Sequence, residues 1–393
     1  MFGFSVILPT FAAKNTDMHT TEIVFLACFV VFIVGILVVD MLVIDRRAHV
    51  VSIKEAASWT GVWIALAFAF AAFLWFHGDL VHGIRTFADL QEVTTRYASH
   101  IRLDPNDFEG GVEAYRQNMT ISYITGYLIE KMLSVDNLFV MMMIFTSFGV
   151  RKEEYQHVLN WGILGAIVLR FVFIFLGAAV VQKFDWVLLV FGAFLIYSAV
   201  KMFWEKKTDE AIDVEKHPLV RFLSKHFRVW PKFVGDKFFV KRRPEDSSAS
   251  PNGKGELSPS DSPLPTERRG EGLHWYITPL FVTVVVIEFS DLIFAFDSIP
   301  AIFSVSLDPY VVFFSNIFAI LGLRAMFFLL AAIADRFRYL KTGVSILLLF
   351  IGVKLLIHEY VKIDALWSLA FILAVLFGSI ALSLLIPKKG GKK

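Results

Sequence analysis

Glu288-Phe289-Ser290-Asp291-Leu292-Ile293-Phe294-Ala295-Phe296-Asp297-Ser298-Ile299-Pro300-Ala301 sets three carboxylates inside an apolar run that extends from Tyr276 to Phe303. A run of that length crosses a bilayer core as a helix, and ionisable groups in such a helix are costly unless they pair or face water. The stretch therefore reads as a membrane span that carries a site. It has a counterpart earlier in the chain, Glu130-Lys131-Met132-Leu133-Ser134-Val135-Asp136-Asn137, in the middle of a second long apolar run, Ile121–Phe148.

Outward from these two segments the chain stays apolar, with 56% hydrophobic residues and 41 phenylalanines among 393 residues. Further runs lie at Ile23–Ile44, Ala57–Phe76, Val158–Val181, Trp186–Phe203, Val311–Ala334, Val344–Ile357 and Leu366–Ile386. No short alternating strands are visible, and backbone groups in lipid must bond within their own helix. The expected fold is an all-α membrane protein of about nine transmembrane helices. A net charge of +2 with no basic domain argues against a nucleic-acid partner; the lipid bilayer is the partner implied. Cys28 is the only cysteine, so there is neither a disulfide framework nor a thiolate metal cluster. Met1 to Thr21 lack the basic start and cleavage site of a secretory signal and are expected to persist as a short tail.

Every second connection is basic: Arg46, Arg47 and Lys54, then Arg151 and Lys152, Lys206 and Lys207, Arg336, Arg338 and Lys341, and the closing Lys388, Lys389, Lys392 and Lys393. The positive-inside rule then places the N-terminus outside and the C-terminus in the cytoplasm. Residues 1–119 form a tail, two spans and an external loop. Residues 208–273 are a cytoplasmic loop whose Ser-, Pro- and Gly-rich part, Pro244–Gly272, reads as disordered. Its first half mixes Phe222, Phe227, Trp230 and Phe233 with Lys and Arg, the pattern either of an amphipathic helix on the inner membrane face or of a solvated linker. A last span and a basic tail fill 363–393.

The remaining regions, 120–207 and 274–362, repeat one another. Placing Asp136 over Asp297 aligns Glu130 with Asp291 and Asn137 with Ser298; Arg170 and Arg324, then Lys201 and Lys354, follow in order. Three spans per unit is an odd number, so the second unit must cross the membrane in the opposite sense. Inverted repeats of this kind place transporter sites near the midplane, between the halves.

Positions three apart share a helical face, which puts Glu288 beside Asp291, whereas six residues turn a helix by about 600°, leaving the second acid about 120° away. Pro300 removes a backbone donor, so a break is expected near Asp297–Pro300, freeing carbonyl oxygens. Carboxylates of Glu130, Asp136, Glu288, Asp291 and Asp297, with Asn137, Ser298 and Asp40 near the end of the first span, would form an oxygen-rich site. Such sites suit hard divalent cations, with manganese, calcium and magnesium all open. Arg170, Arg324, Lys131 and Lys354 are the candidate counter-ions. A purely structural network of buried salt bridges is the competing reading, but the acids outnumber the arginines.

The segments Glu130–Leu138 and Glu288–Ala301 resemble the paired signature segments of the TerC family. The resemblance covers most spans and excludes the 208–273 loop. It implies a bacterial inner-membrane exporter of manganese(II), with Glu130, Asp136, Asn137, Glu288, Asp291, Asp297 and Ser298 as its intramembrane motif and Mn²⁺ as the transported ion, without an organic cofactor. No phosphate-binding loop or phosphorylatable aspartate motif is present, so a gradient, of protons by preference, would drive it. Transport rather than enzymatic catalysis is expected. The alternatives are export of another divalent cation such as calcium, or a membrane scaffold without transport.

Overall fold

The computed structural model describes residues 20–39, 51–184, 186–204, 218–242, 274–333, 339–357, 363 and 365–385. Asp40 lies outside them, as do Pro244–Gly272, most of the basic connections and the side chains of Asp136 and Asp297.

The fold is mostly helical. α1 (Thr20–Val39), α2 (Ile53–His77) and the short α3 (Asp79–His82) and α4 (Phe87–Tyr97) precede the long α5 (Phe108–Phe148); α6 (Tyr155–Lys183) and α7 (Trp186–Trp204) follow. After α8 (Pro218–His226) and the strands β1 (Phe239–Arg242) and β2 (His274–Ile277) come α9 (Pro279–Phe303), α10 (Pro309–Leu321), α11 (Leu323–Ile333), α12 (Leu340–Leu356) and α13 (Ala365–Leu385). Among the described residues six helices, α1, α2, α6, α7, α9 and α13, are long and apolar enough to cross a membrane. The pair α10–α11, bent by 46° at Gly322, makes a seventh span if taken as one. α5 is interrupted by charge, and α12 has 17 residues, fewer than a typical span.

Local sequence explains most helix ends. Thr278 caps α9 with Pro279 at its first position, and Asp308 caps α10 with Pro309, its carboxylate accepting from the Tyr310 amide at 2.9 Å. Asp107 caps α5, whose far end closes on Gly149 in the left-handed conformation, φ 65°. At 41 residues α5 is about 60 Å long, more than a bilayer core needs. Its first turns stand clear of the expected span and pack with α4, whose Leu90 and Val93 are buried. The external loop expected at 78–119 is thus folded.

α10 is the centre of the molecule: all thirteen of its residues are buried. It packs on α5, α6 and α2, and α9 packs on α5 and α6. Phe29, Phe70, Phe314 and Phe318 interlock beside it, with ring centroids 4.4 Å apart for Phe29–Phe314 and 4.9 Å for Phe70–Phe318.

Three expectations change. α9 runs unbroken through Pro300, which lies inside the helix close to its end; a proline in the last turn removes only one of the final hydrogen bonds. The bend falls instead at Gly322, in the next span. Second, the fold contains a two-stranded antiparallel sheet, β1–β2, pairing Phe239 with Ile277 and Lys241 with Trp275, so Tyr276 and Ile277 belong to a strand and the helix begins at Pro279. Third, residues 218–242 of the 208–273 loop are folded: Leu223 of α8 is buried against the bundle, and Trp230 packs on Tyr276 at 5.3 Å.

Candidate functional site

Arg170, on α6, is one of the largest fully buried side chains in the molecule. Its Nη1 donates to Glu130 of α5 and, at 2.7 Å, to Asn316 of α10; its Nη2 and Nε reach the two oxygens of Asp291 on α9 at 3.3 and 3.5 Å. Four helices therefore converge on one guanidinium. The planar fork suits this role, because it offers donors in several directions from one charge that cannot be lost. Glu130 also accepts from Ser134 at 3.3 Å, one helical turn further along α5.

The carboxylates are not exhausted by these contacts. Among the described residues, a buried oxygen of Glu130, Oε2, has no hydrogen-bond partner, and neither has the buried Ser298 hydroxyl. Both oxygens of Glu288 are buried and without a hydrogen-bond partner among the described residues. Its carboxyl group lies against Gly162 and Gly165 of α6, and a Cβ on Gly165 would occupy the same space. The two glycines, three residues apart and so on one face, form a cradle for an acid from the neighbouring helix. Arg170 supplies one positive unit against Glu130 and Asp291, Arg324 borders a small cavity with Asp291, and Glu288 adds a carboxyl that meets no donor among the described residues. Nearby, a cavity of about 10 Å³ is bordered by Gly162, Ala166, Ile287, Asp291 and Arg324, close to the least space one water requires. A larger cavity of about 360 Å³, between α6, α7 and α9, is walled by apolar residues such as Phe173, Leu176, Val190 and Phe296 and offers an ion no ligand.

The other candidate residues are dispersed. Asn137 is buried on α5. Arg324 donates to Asn160 of α6 at 2.7 Å. Lys131 makes no ion pair with a described carboxylate; its ammonium donates at 2.9 Å to the Ala319 carbonyl, at the end of α10, and lies 5.7 Å from the Tyr127 ring centroid. A Cβ on Gly322 would stand 2.8 Å from that nitrogen, so the missing side chain at the bend leaves room for the lysine. Lys354 donates to Ser368 of α13 at 2.9 Å. Among the described residues, no three His, Cys, Asp or Glu side chains gather as a ready metal-ligand set.

Sequence reasoning missed Asn316, Asn160, Ser134 and the glycine pair. A signal existed for each: amides inside apolar spans, and small residues at a spacing of three. It also missed a second buried cluster. His82 of α3 bridges Glu22 of α1, at 2.6 Å through Nδ1, and Asp308, at 2.9 Å through Nε2. Burial works against charge on this imidazole, but Asp308 and then Glu22 outweigh it, pushing the pKa up to about 9. With a carboxylate on each side, the doubly protonated ring satisfies both contacts as a donor.

The match to known proteins is extensive. Residues 115–391 fit the family model described as integral membrane protein TerC family. The chain is 38% identical over 359 residues to the Escherichia coli K12 protein named as a membrane-bound redox modulator, Alx, covering 91% of this chain and 92% of that one. It is 38% identical to a Myxococcus xanthus membrane protein, STKORF319, covering 91% of each chain, and 35% identical to the tellurium resistance protein TerC of Serratia marcescens, covering 92% and 93%. No solved structure matches. The described helices and the family model covering residues 115–391 agree, and the chain belongs to the TerC family of multi-pass integral membrane proteins.

Proposed function

We propose that this chain is a secondary transporter that exports manganese(II) across a bacterial inner membrane, with the ion passing the carboxylates around Arg170. The observation that carries the reading is the set of buried acidic oxygens on α5 and α9 that meet no hydrogen-bond donor among the described residues, Glu130 Oε2 and both oxygens of Glu288, close to the Arg170 guanidinium. Buried acceptors without donors call for a cation or for protons. The donors are all oxygen, which favours manganese, magnesium or calcium over zinc or copper. Family resemblance selects manganese among these.

The transport reading includes nine spans, obtained by adding α5 and α12 to the seven above, and two inverted units, 120–207 and 274–362. A reciprocal contact supports the repeat: Arg170 of the first unit bonds Asn316 of the second, and Arg324 of the second bonds Asn160 of the first, each at 2.7 Å. Glu130 and Asp291, equivalent in the repeat register, meet at the same arginine. Rocking of one unit on the other would break and remake these contacts, with Arg170 holding the acids whenever the ion has left. The N-terminus lies outside and the C-terminus in the cytoplasm, as the basic connections require. Proton binding at the acids would compete with the metal and couple export to a pH gradient.

The test is cellular manganese content in a strain overproducing the wild type, compared with Glu130→Gln, Asp136→Asn, Asp291→Asn and Asp297→Asn at matched protein levels. Wild type is expected to lower manganese and the variants to leave it high. Equal contents in all five strains would overturn the proposal. In proteoliposomes, competition by calcium would reassign the cargo, and equal rates with and without an imposed pH gradient would remove the proton from the cycle.

A further inference from the structure

The folded part of the long loop carries a charge pattern that export does not use. Between Pro218 and Arg242 there are seven lysines and arginines, at 221, 225, 228, 232, 237, 241 and 242, against a single acid, Asp236. The surrounding architecture sorts these residues. α8 turns Leu219, Val220 and Leu223 inward against the bundle, which leaves Arg221, Phe222 and Lys225 exposed on its other side. The sheet is likewise two-faced. Val240 and Tyr276 close on Trp230, whereas Phe239, Lys241 and Trp275 form the opposite face, with Lys241 and Trp275 directly across from each other and both exposed.

That outer face is not remote from the bilayer. Phe239 packs on Phe281 in the first turn of α9, with centroids 4.8 Å apart, and the adjoining Phe238 packs on His157 and Trp161 at the start of α6. The cap therefore sits at the level where these two spans begin. Exposed aromatic rings alternating with long basic side chains at that level are what a headgroup layer accommodates: the rings enter the acyl boundary, and the amines reach the phosphates.

We propose that the cap formed by α8, β1 and β2 binds anionic phospholipid headgroups of the leaflet on its own side, through Arg221, Lys225 and Lys241 with Phe222 and Trp275 as interfacial anchors. The assignment of that leaflet as cytoplasmic rests on the orientation given above, and the cytoplasmic leaflet is the negatively charged one. Charge complementarity selects this occupant. A net charge of +6 over the 25 residues from Pro218 to Arg242 leaves a neutral, zwitterionic surface without a reason to be preferred.

The experiment uses the full chain with Cys28→Ala and a nitrobenzoxadiazole label on Phe222→Cys, in nanodiscs of phosphatidylcholine alone or mixed with phosphatidylglycerol. Both faces of a nanodisc carry the same lipid, so neither the orientation nor transport affects the result. Expected is a blue shift with roughly a doubling of label intensity in the anionic discs, reversed by high salt. The triple variant Arg221→Glu/Lys225→Glu/Lys241→Glu, checked for monodispersity, should lose the response. Identical emission in both lipids, a response insensitive to salt, or one that survives the triple variant would overturn the proposal. So would an equal response to a soluble polyanion such as oligo-dT in phosphatidylcholine discs, which would assign the face to nucleic acid instead.

Discussion

Arg170 faces Glu130 and Asp291 in a setting without bulk water, and the two acids differ from it in what their removal does. Replacing the arginine by glutamine leaves two buried carboxylates without a cation, a change that destabilises by about 3–5 kcal/mol where only one partner of a buried pair is lost. Thermal unfolding in detergent should therefore show a large drop for Arg170→Gln and a smaller one for Glu130→Gln, because Asp291 continues to pair with the arginine. Equal drops would mean that the guanidinium is held by its other contacts. Gly165 separates stability from function. A Cβ there overlaps only the end of a flexible side chain, the Glu288 carboxyl, so Gly165→Ala should change stability by no more than about 1 kcal/mol. It should nevertheless raise cellular manganese, because the acid is driven from its cradle. Unchanged manganese with an intact fold would release Glu288 from the site.

At the scale of elements, His82 ties α1, α3 and the start of α10 together. Its pKa is raised from 6.5 to about 9 in the fold, so the stabilisation is complete below about pH 6.5 and disappears as pH rises through about 9. The shift corresponds to roughly 3 kcal/mol. The difference in unfolding midpoint between wild type and His82→Gln should be large at neutral pH and vanish near pH 10; a constant difference would mean that a neutral imidazole makes the contacts. No feature of the sequence linked Glu22, His82 and Asp308, since they are separated by 60 and 226 positions and none lies at a spacing of one helix. Six of the expected spans, and a seventh where the bent pair counts as one, were legible because lipid demands a long apolar run for each. So were the acids on α5 and α9, because charge inside such a run stands out. The bend was misplaced for a physical reason: proline draws attention wherever it occurs, yet Pro300 sits in a last turn that tolerates it, whereas the bend falls at Gly322, where Lys131 and Trp63 occupy the space a side chain would need. The second half of strand β2 was absorbed into a span because Tyr276 and Ile277 are large nonpolar residues that lead directly into the apolar helix after them.

Across the whole molecule, α7 and α12, which belong to the regions 120–207 and 274–362, approach until their backbones touch. A Cβ on Gly192 would stand 2.9 Å from the Gly352 carbonyl oxygen, and one on Gly352 would stand 2.8 Å from the Gly192 carbonyl oxygen. Without a hydrophobic drive between helices in lipid, such small-residue contacts are what holds a pair together. A movement of one region on the other would pivot on this seam or slide along it. Gly352→Ala cannot be absorbed by rotating a side chain, because the obstruction is backbone, so the helices must separate at a cost of about 1–3 kcal/mol. Gly61, exposed on α2 with open space around its Cβ position, is the matched control; alanine there should be neutral or stabilising by up to about 1 kcal/mol. A cysteine pair introduced one turn away on α7 and α12 would read the seam directly: cross-linking should be efficient in the wild-type background and fall in Gly352→Ala. Undiminished cross-linking, together with an unchanged unfolding midpoint, would show that the close approach is not what joins the two regions.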